Sequence, residues 1–292
     1  MYQQLIDEFI RQQRLPQSYA IDASQNFLPL LRDIENQIAS HKGQGFVLGI
    51  NGAQGTGKST LALLLSTLLA SDGHRVANLS IDDFYYSKAS REALAQTVHP
   101  LLASRGVPGT HDVDSALALL PRLFNTEIAE PVTLPGFDKA TDDCVPQARC
   151  RQLRGPVDVV ILEGWFVGAE PQQESELLEP INRLEELEDG DGRWRHYVNQ
   201  QLAAGYQTLF ASLDSLILLA APGIDQVLEW RRLQEEKLRQ RSQPDASGLM
   251  SSEEIARFIQ HFERLTRHCL NTLPATADRV FSLDSAHRIS TA

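Results

Sequence analysis

The sequence predicts an α/β fold: a doubly wound, mainly parallel sheet of about five strands with helices on both faces. Three observations predict it. Five short β-forming runs are apolar at nearly every position, as strands covered on both faces are. Helix-forming stretches alternate with these runs along the chain. A glycine-rich turn joins the first run to a helix, Ser59–Ala70, that is apolar on nearly every face, as a helix buried in a core would be.

The elements follow in order. Residues 1–42 read as helical, with Leu5, Phe9 and Ile10, then Leu28, Leu31, Ile34 and Ile38, recurring at helical spacing; Pro16 separates the two pieces. The β runs are Phe46–Ile50, Val76–Ile81, Val157–Leu162, Ser215–Leu219 and Arg279–Leu283. Helical stretches lie at 114–124, 193–212, 224–241 and 252–273. Three segments read as excursions: 83–156, with turn signals at Arg105–Gly109 and Leu134–Gly136; 170–192, which is acidic; and the loop-like 242–251.

The 292 residues suit one large domain or two small ones, with ample sequence for a core. Lys plus Arg number 27 against 38 Asp plus Glu, a formal charge of −11. That excess argues against nucleic-acid or anionic-membrane binding, which needs a basic face. It does not exclude an anionic substrate, since local field and net charge are different quantities. Three cysteines, Cys144, Cys150 and Cys269, with no C-x-x-C pair, are too few and too odd in number for a disulfide framework. With no apolar signal core and no long apolar run, they predict a cytoplasmic protein.

The chemistry starts at Gly52-Ala53-Gln54-Gly55-Thr56-Gly57-Lys58-Ser59, which matches G-x-x-x-x-G-K-[ST] at every fixed position. A chance match in a chain this long is roughly a one-in-a-hundred event, and the strand–loop–helix setting lowers it further. Glycines let the backbone curl around an anion, and the N–H groups and helix N-terminus then favour phosphate. Lys58 would reach the β- and γ-phosphates, and the Ser59 hydroxyl would ligate Mg²⁺. Thr60 extends the nucleotide-binding set. The spacing disfavours a dinucleotide fold.

Asp82 and Asp83 directly follow the second β run, where ligands of open α/β sheets bind. A carboxylate there can accept a hydroxyl proton or hold Mg²⁺ through water; the alternative is a strand-end turn or helix cap. Glu163 ends the third run and would face the metal or its waters. Arg231, Arg232, Lys237, Arg239 and Arg241 cluster on one predicted helix that could close over phosphates. They could equally form a solvated face, because Arg231–Glu235 and Glu235–Arg239 are i,i+4 pairs. His261 and His268 lie two helical turns apart, too far to share a metal. Phe258, Phe262, Trp194 and Trp230 read as core.

With these motifs the chain resembles the P-loop small-molecule kinases typified by uridine kinase, pantothenate kinase and phosphoribulokinase, and within them the D-glycerate 3-kinase-like family. The resemblance is carried by Ser80–Tyr85, Gly106–Asp112, Leu134–Lys139, Glu163–Gly168 and Trp230–Glu236, within residues 46–241. It implies a P-loop NTPase fold at 43–292, with an acceptor-binding excursion (83–156) and a lid (224–251); the N-terminal helical extension (1–42) carries none of its motifs. It implies ATP and Mg²⁺ as cofactors, with Lys58, Asp82 and Glu163 catalytic and Ser59, Asp82 and Glu163 at the metal. Asp83, Tyr85, Thr110, His111, Asp112, Asp138 and Lys139 then fall in the acceptor site, and Arg231, Arg232 and Arg239 in the lid. One departure is Phe137, where the family's Pro-x-Tyr-Asp segment carries a tyrosine.

The implied reaction is transfer of the ATP γ-phosphoryl group to a small-molecule hydroxyl, with D-glycerate the leading acceptor and Lys139 or Arg105 the partner for its carboxylate. Two alternatives stay open: a pantothenate- or nucleoside-like acceptor, or a regulatory P-loop ATPase acting through a protein partner. No N-K-x-D is present to read guanine.

Overall fold

The computed structural model describes residues 2–41, 45–241 and 250–290, with the side chains of 237–241 excepted. Five strands, β1 (Phe46–Gly52), β2 (Val76–Ser80), β3 (Val159–Gly164), β4 (Ser215–Ala220) and β5 (Arg279–Ser282), pair in parallel in the order β2-β3-β1-β4-β5. The register sets Glu163 of β3 between Ile50 of β1 and Ser80 of β2. The loop after β1 and the residues after β2 therefore flank one carboxylate at the carboxyl edge of the sheet.

The main helices in chain order are α1 (Tyr2–Gln13), α2 (Leu28–Ser40), α3 (Lys58–Ser71), α4 (Lys88–Thr97), α5 (Val113–Phe124), α6 (Arg183–Glu188), α7 (Arg193–Gln201), α8 (Ile224–Arg241) and α9 (Ser252–Thr272). Phe46, Leu48 and Ile50 face one layer with Leu61, Leu65 and Leu68 of α3. Val47, Val160 and Leu162 face the other, with Leu119 and Leu123 of α5 and Phe262 and Leu265 of α9. Burial on both faces is why the strands lack an alternating pattern.

α3 is apolar nearly all round because it is covered twice. The sheet takes one side, and Ile6, Phe9, Ile10, Leu31 and Ile34 of α1 and α2 share its cluster on the other. Each such buried side chain contributes about 1.5–3 kcal/mol relative to exposure, so residues 2–40 are part of the core of this layer. Among the described residues no helix is long and apolar enough to cross a membrane.

Three differences from the sequence reading have physical causes. β3 begins at Val159 and runs to Gly164, because pairing continues to Glu163 with β2 and to Gly164 with β1. The stretch expected as one helix at 193–212 is broken at 202–206, where Ala204 leaves helical geometry (φ −94°, ψ −121°) and Tyr206 turns into the core. α4 lacks an apolar stripe because the residue it buries is Arg91, fully covered and bonded to the carbonyls of Tyr86, Ala103 and Asp142.

The acidic segment 170–192 is also not simply a solvated face. Glu185 is fully buried and receives Arg264 at 2.8 and 2.6 Å. Asp189, equally buried, accepts from the Trp194 backbone N–H at 2.7 Å and from Arg195 at 2.9 Å.

Candidate active site

The loop after β1 takes its shape from two left-handed glycines. Gly57 (φ +88°) caps α3, and Gly55 (φ +86°) passes so close to Trp230 that a Cβ would lie 2.8 Å from that residue's Cβ. The Thr56 hydroxyl donates to the Ala53 carbonyl at 2.9 Å, bracing the loop from within. Lys58 and Ser59 begin α3, where the unpaired N–H groups and the macrodipole favour an anion.

Ser59 and Glu163 meet at 2.6 Å. The other Glu163 oxygen, Oε2, is buried with no hydrogen-bond partner among the described residues. A buried carboxylate with an open lone pair beside a serine hydroxyl is a donor set suited to a hard divalent cation.

On the acceptor side, the segment 105–112 lies against 84–86: Tyr86 N–H bonds the Thr110 carbonyl at 2.9 Å, and Asp112 N–H bonds the Phe84 carbonyl at 2.7 Å. A β-hairpin pairing Phe137–Asp138 with Asp143–Cys144 carries Lys139 at its turn. The result is a cavity of about 300 Å³ lined by the loop residues Gln54, Gly55 and Lys58, by Asp82, Tyr85, Arg105 and Lys139, and by Trp165, Arg231, Gln234, Phe258 and Phe262. Phe258 and Phe262, read as core in the sequence, form its aromatic wall.

Asp82 is the most constrained group there. Lys139 Nζ donates to Oδ2 at 2.6 Å and the Tyr85 hydroxyl to Oδ1 at 2.9 Å. Burial alone would raise its pKa, but the Lys139 ammonium, with Lys58 beyond it, holds the carboxyl below its ordinary value. The Tyr85 phenol is pushed well up by burial and by the adjacent Asp82 charge.

Several expected acceptor residues do not line this cavity. Asp83 accepts from the Ser80 N–H at 3.0 Å in a capping box, and burial raises its pKa. Asp112 caps α5 through the Ser115 N–H and hydroxyl. Asp138 caps the turn that presents Lys139, accepting from Ala140 N–H at 3.0 Å. Thr110, fully buried, bonds Gly106 and Val107 within its own turn.

His111 is buried behind Tyr85, stacked on it at 4.3 Å, with Nδ1 2.8 Å from the Tyr206 hydroxyl. Arg232 pairs with Glu229 on an exposed face. The Arg239 side chain and residues 242–249 of the expected lid lie outside the described residues. In each carboxylate case a local cap and a ligand read alike in sequence, because both need an acidic residue at an element end.

A second cavity, about 240 Å³, lies on the other flank of the loop. It is bounded by Thr56, Gly57 and Thr60, by Tyr19, Asp22 and Phe27, and by Leu283 and 286–289. Asp22, buried, receives Arg288 at 2.8 Å. No sequence signal links these partners, which lie 266 residues apart.

Burial drives the His111 pKa down to about 3 and that of His261 to about 4, from an ordinary value near 6.5. Between those values the unfolded chain binds protons that the folded chain does not, so stability falls as pH drops from about 6.5 towards 3. Urea unfolding at pH 7.5 and pH 5 should show the loss, and His111→Gln should flatten the slope.

Comparison with known proteins places this geometry. The uncharacterized kinase mug58 of Schizosaccharomyces pombe is 35% identical over 243 residues, covering 80% of this chain and 83% of that protein. The chain belongs to the P-loop small-molecule kinases. The kinase is also 26% identical over 280 residues to the chloroplastic D-glycerate 3-kinase of Arabidopsis thaliana, covering 88% of this chain and 58% of that one. The structure of D-glycerate 3-kinase from Cryptococcus neoformans var. grubii superposes with a TM-score of 0.72 at 25% identity, covering 90% of the kinase and 97% of that chain. The family profile described as methylmalonyl Co-A mutase-associated GTPase MeaB matches residues 22–88, under a quarter of the kinase, around the phosphate-binding loop. Membership of the kinase family implies ATP as phosphoryl donor.

Proposed function

We propose that this kinase transfers the γ-phosphoryl group of ATP to a hydroxyl of a small hydroxy acid, with D-glycerate as acceptor and 3-phosphoglycerate as product. The observation that carries the reading is the contact of Lys139 with Asp82 inside a cavity also lined by Arg105: a candidate base and cations for an acid group share one small space. The similarity to D-glycerate 3-kinases supports the choice of acid.

In this reading the N–H groups of Gly52–Ser59 and the Lys58 ammonium receive the β- and γ-phosphates, and Thr60 lies alongside. The nucleoside extends into the cavity beside Thr56 and Gly57. Ser59 and Glu163, with Asp82 through a water, would hold Mg²⁺, which would neutralise charge on the β- and γ-phosphates. Asp82 takes the proton of the acceptor hydroxyl as that oxygen bonds to the γ-phosphorus. The bond from phosphorus to the β,γ-bridging oxygen breaks, and ADP leaves with the electron pair. Arg231 faces the cavity and would offset charge on the transferring group.

Phe137 packs edge-on to Tyr85 at 5.1 Å and under Arg105 at 5.4 Å. With no hydroxyl there, recognition of the acceptor falls to the cations.

ADP release measured with D-glycerate, glycerol, pantothenate and uridine tests the reading. D-Glycerate should give a kcat/KM about tenfold or more above the others, the margin expected for a hydrogen bond to a charged partner. Equal or faster turnover of pantothenate or uridine would overturn the acid acceptor. Hydrolysis indifferent to every acceptor would favour a regulatory ATPase.

A further inference from the structure

The break at 202–206 interrupts a helix and turns one side chain inward. That side chain is Tyr206, 2% exposed and absent from the cavity wall. Its hydroxyl is the meeting point of two groups from the segment 105–112. It accepts from the Gly109 N–H at 3.0 Å and lies 2.8 Å from His111 Nδ1. A phenol has one proton. Were the ring N–H the donor, that proton would be buried with no acceptor among the described residues. The Tyr206 O–H therefore donates to Nδ1, and one oxygen holds both groups.

The two bonds straddle Thr110, whose carbonyl accepts from the Tyr86 N–H at 2.9 Å. On the other side of Tyr85, the Phe84 carbonyl accepts from the Asp112 N–H at 2.7 Å. The stretch that Tyr206 anchors is thus the stretch that frames Tyr85. The His111 ring stacks on the Tyr85 ring at 4.3 Å, 24° from parallel. Phe166 packs against both His111 and Tyr206, at 5.6 and 5.4 Å. Tyr85 in turn donates its hydroxyl to Asp82 Oδ1 at 2.9 Å. From Tyr206 to Tyr85 every member of this chain of contacts is buried.

A carboxylate needs such a hold. The terminal torsion of an Asp side chain is broad, so the plane of its oxygens is set by its partners. Lys139, on an exposed four-carbon stem, is a loose partner. Tyr85 is a fixed one.

We propose that Tyr206 is a positioning residue for phosphoryl transfer. Its hydroxyl fixes the segment 105–112 and the His111 ring, and through them the Tyr85 ring, so that the Tyr85 hydroxyl holds the Asp82 carboxylate in one orientation. The free lone pairs of Asp82 then point where the acceptor hydroxyl arrives. The inference rests on the role given above to Asp82, and it extends the machinery to a residue that touches neither substrate.

The test is a double-mutant cycle on Tyr206→Phe and Tyr85→Phe, run with the preferred acceptor from the four-compound comparison. Rates are scaled to the folded fraction found by urea unfolding in the same buffer. Tyr206→Phe keeps the ring and removes the hydroxyl. Its kcat should fall about tenfold, as expected when a reacting group loses its alignment. Its KM for ATP should stay within about twofold of wild type, since the phosphate-binding loop is braced by its own contacts. Tyr85→Phe should lose as much or more. The double variant should be no slower than Tyr85→Phe alone, because without that hydroxyl the brace has nothing to orient. If Tyr206→Phe does not fold, His111→Phe takes its place in the cycle. It keeps a ring against Tyr85 but gives the Tyr206 O–H no acceptor, and the same pattern is expected.

Wild-type kcat in Tyr206→Phe, with only the urea midpoint lowered, would overturn the proposal and leave Tyr206 as a core residue. Losses that multiply in the double variant would overturn it as well. Failure of the underlying reading looks different: Asp82→Asn would then keep its turnover. Failure of the brace alone leaves Asp82→Asn slow and Tyr206→Phe fast.

Discussion

Asp82→Asn should lower kcat for phosphoryl transfer about 10²- to 10⁴-fold, the usual contribution of a positioned general base, while ATP binding stays within a few-fold of wild type. The asparagine keeps the shape of the side chain and its hydrogen bond from Tyr85, but it cannot take up a proton. The phosphate-binding loop and Ser59–Glu163 are built from other elements and are untouched. Steady-state turnover with D-glycerate, paired with a fluorescent-nucleotide titration, separates the two quantities. Asp83→Asn is the matched control: an amide oxygen can still accept from the Ser80 N–H, so kcat and stability should both stay near wild type. Wild-type-like turnover in Asp82→Asn would remove Asp82 from the chemistry.

The second large effect is on stability. Glu185→Ala should destabilise the fold by about 3–5 kcal/mol, because it strands the Arg264 guanidinium without its anion. Glu185 is wholly buried and Arg264 nearly so. The two carbonyls that Arg264 also reaches, of Glu176 and Glu179, supply hydrogen bonds but no countercharge. For a domain of this size that corresponds to a fall of about 6–20 °C in Tm. Glu188→Ala offers the contrast. Its bidentate contact with Arg257 is half-exposed, and its loss should cost under about 1 kcal/mol. Replacing both members of the buried pair, Glu185→Leu with Arg264→Met, should recover much of the loss, since two apolar groups leave no charge unpaired. Similar melting of Glu185→Ala and Glu188→Ala would contradict the assignment of a buried ion pair.

These two carboxylates also mark what the sequence could and could not reveal. The phosphate-binding loop, Asp82 and Glu163 are legible because each is a local signal: a fixed spacing, or an acid at the end of an apolar run. The sheet is legible for the same reason, since burial on both faces writes an unbroken apolar string into each strand. Glu185, Asp189 and Arg91 were not legible, because a buried charge and a solvated one are the same letter until the partner is known. Their partners are Arg264, Arg195 and the 103 and 142 carbonyls, brought in by tertiary contact. Asp83, Asp112 and Asp138 are ambiguous in the opposite sense. They sit in the family's acceptor segments, yet each carboxylate satisfies a backbone N–H of its own turn. The site's aromatic wall, Phe258 and Phe262, has the helical spacing of any core face and carried no separate sign.

The ion pair between Asp22 and Arg288, and the packing of Phe27 on Phe281, join segments near opposite ends of the sequence. On a ribosome this is a matter of timing. The N-terminal helices emerge first, but the strand and loop that complete their burial are made some 250 residues later. At about 5–20 residues per second, that interval is on the order of ten seconds or more. Through it Phe27 has Tyr19 beside it but lacks Phe281, and Asp22 lacks its countercharge, so this layer can close only once residues 281–288 have left the exit tunnel.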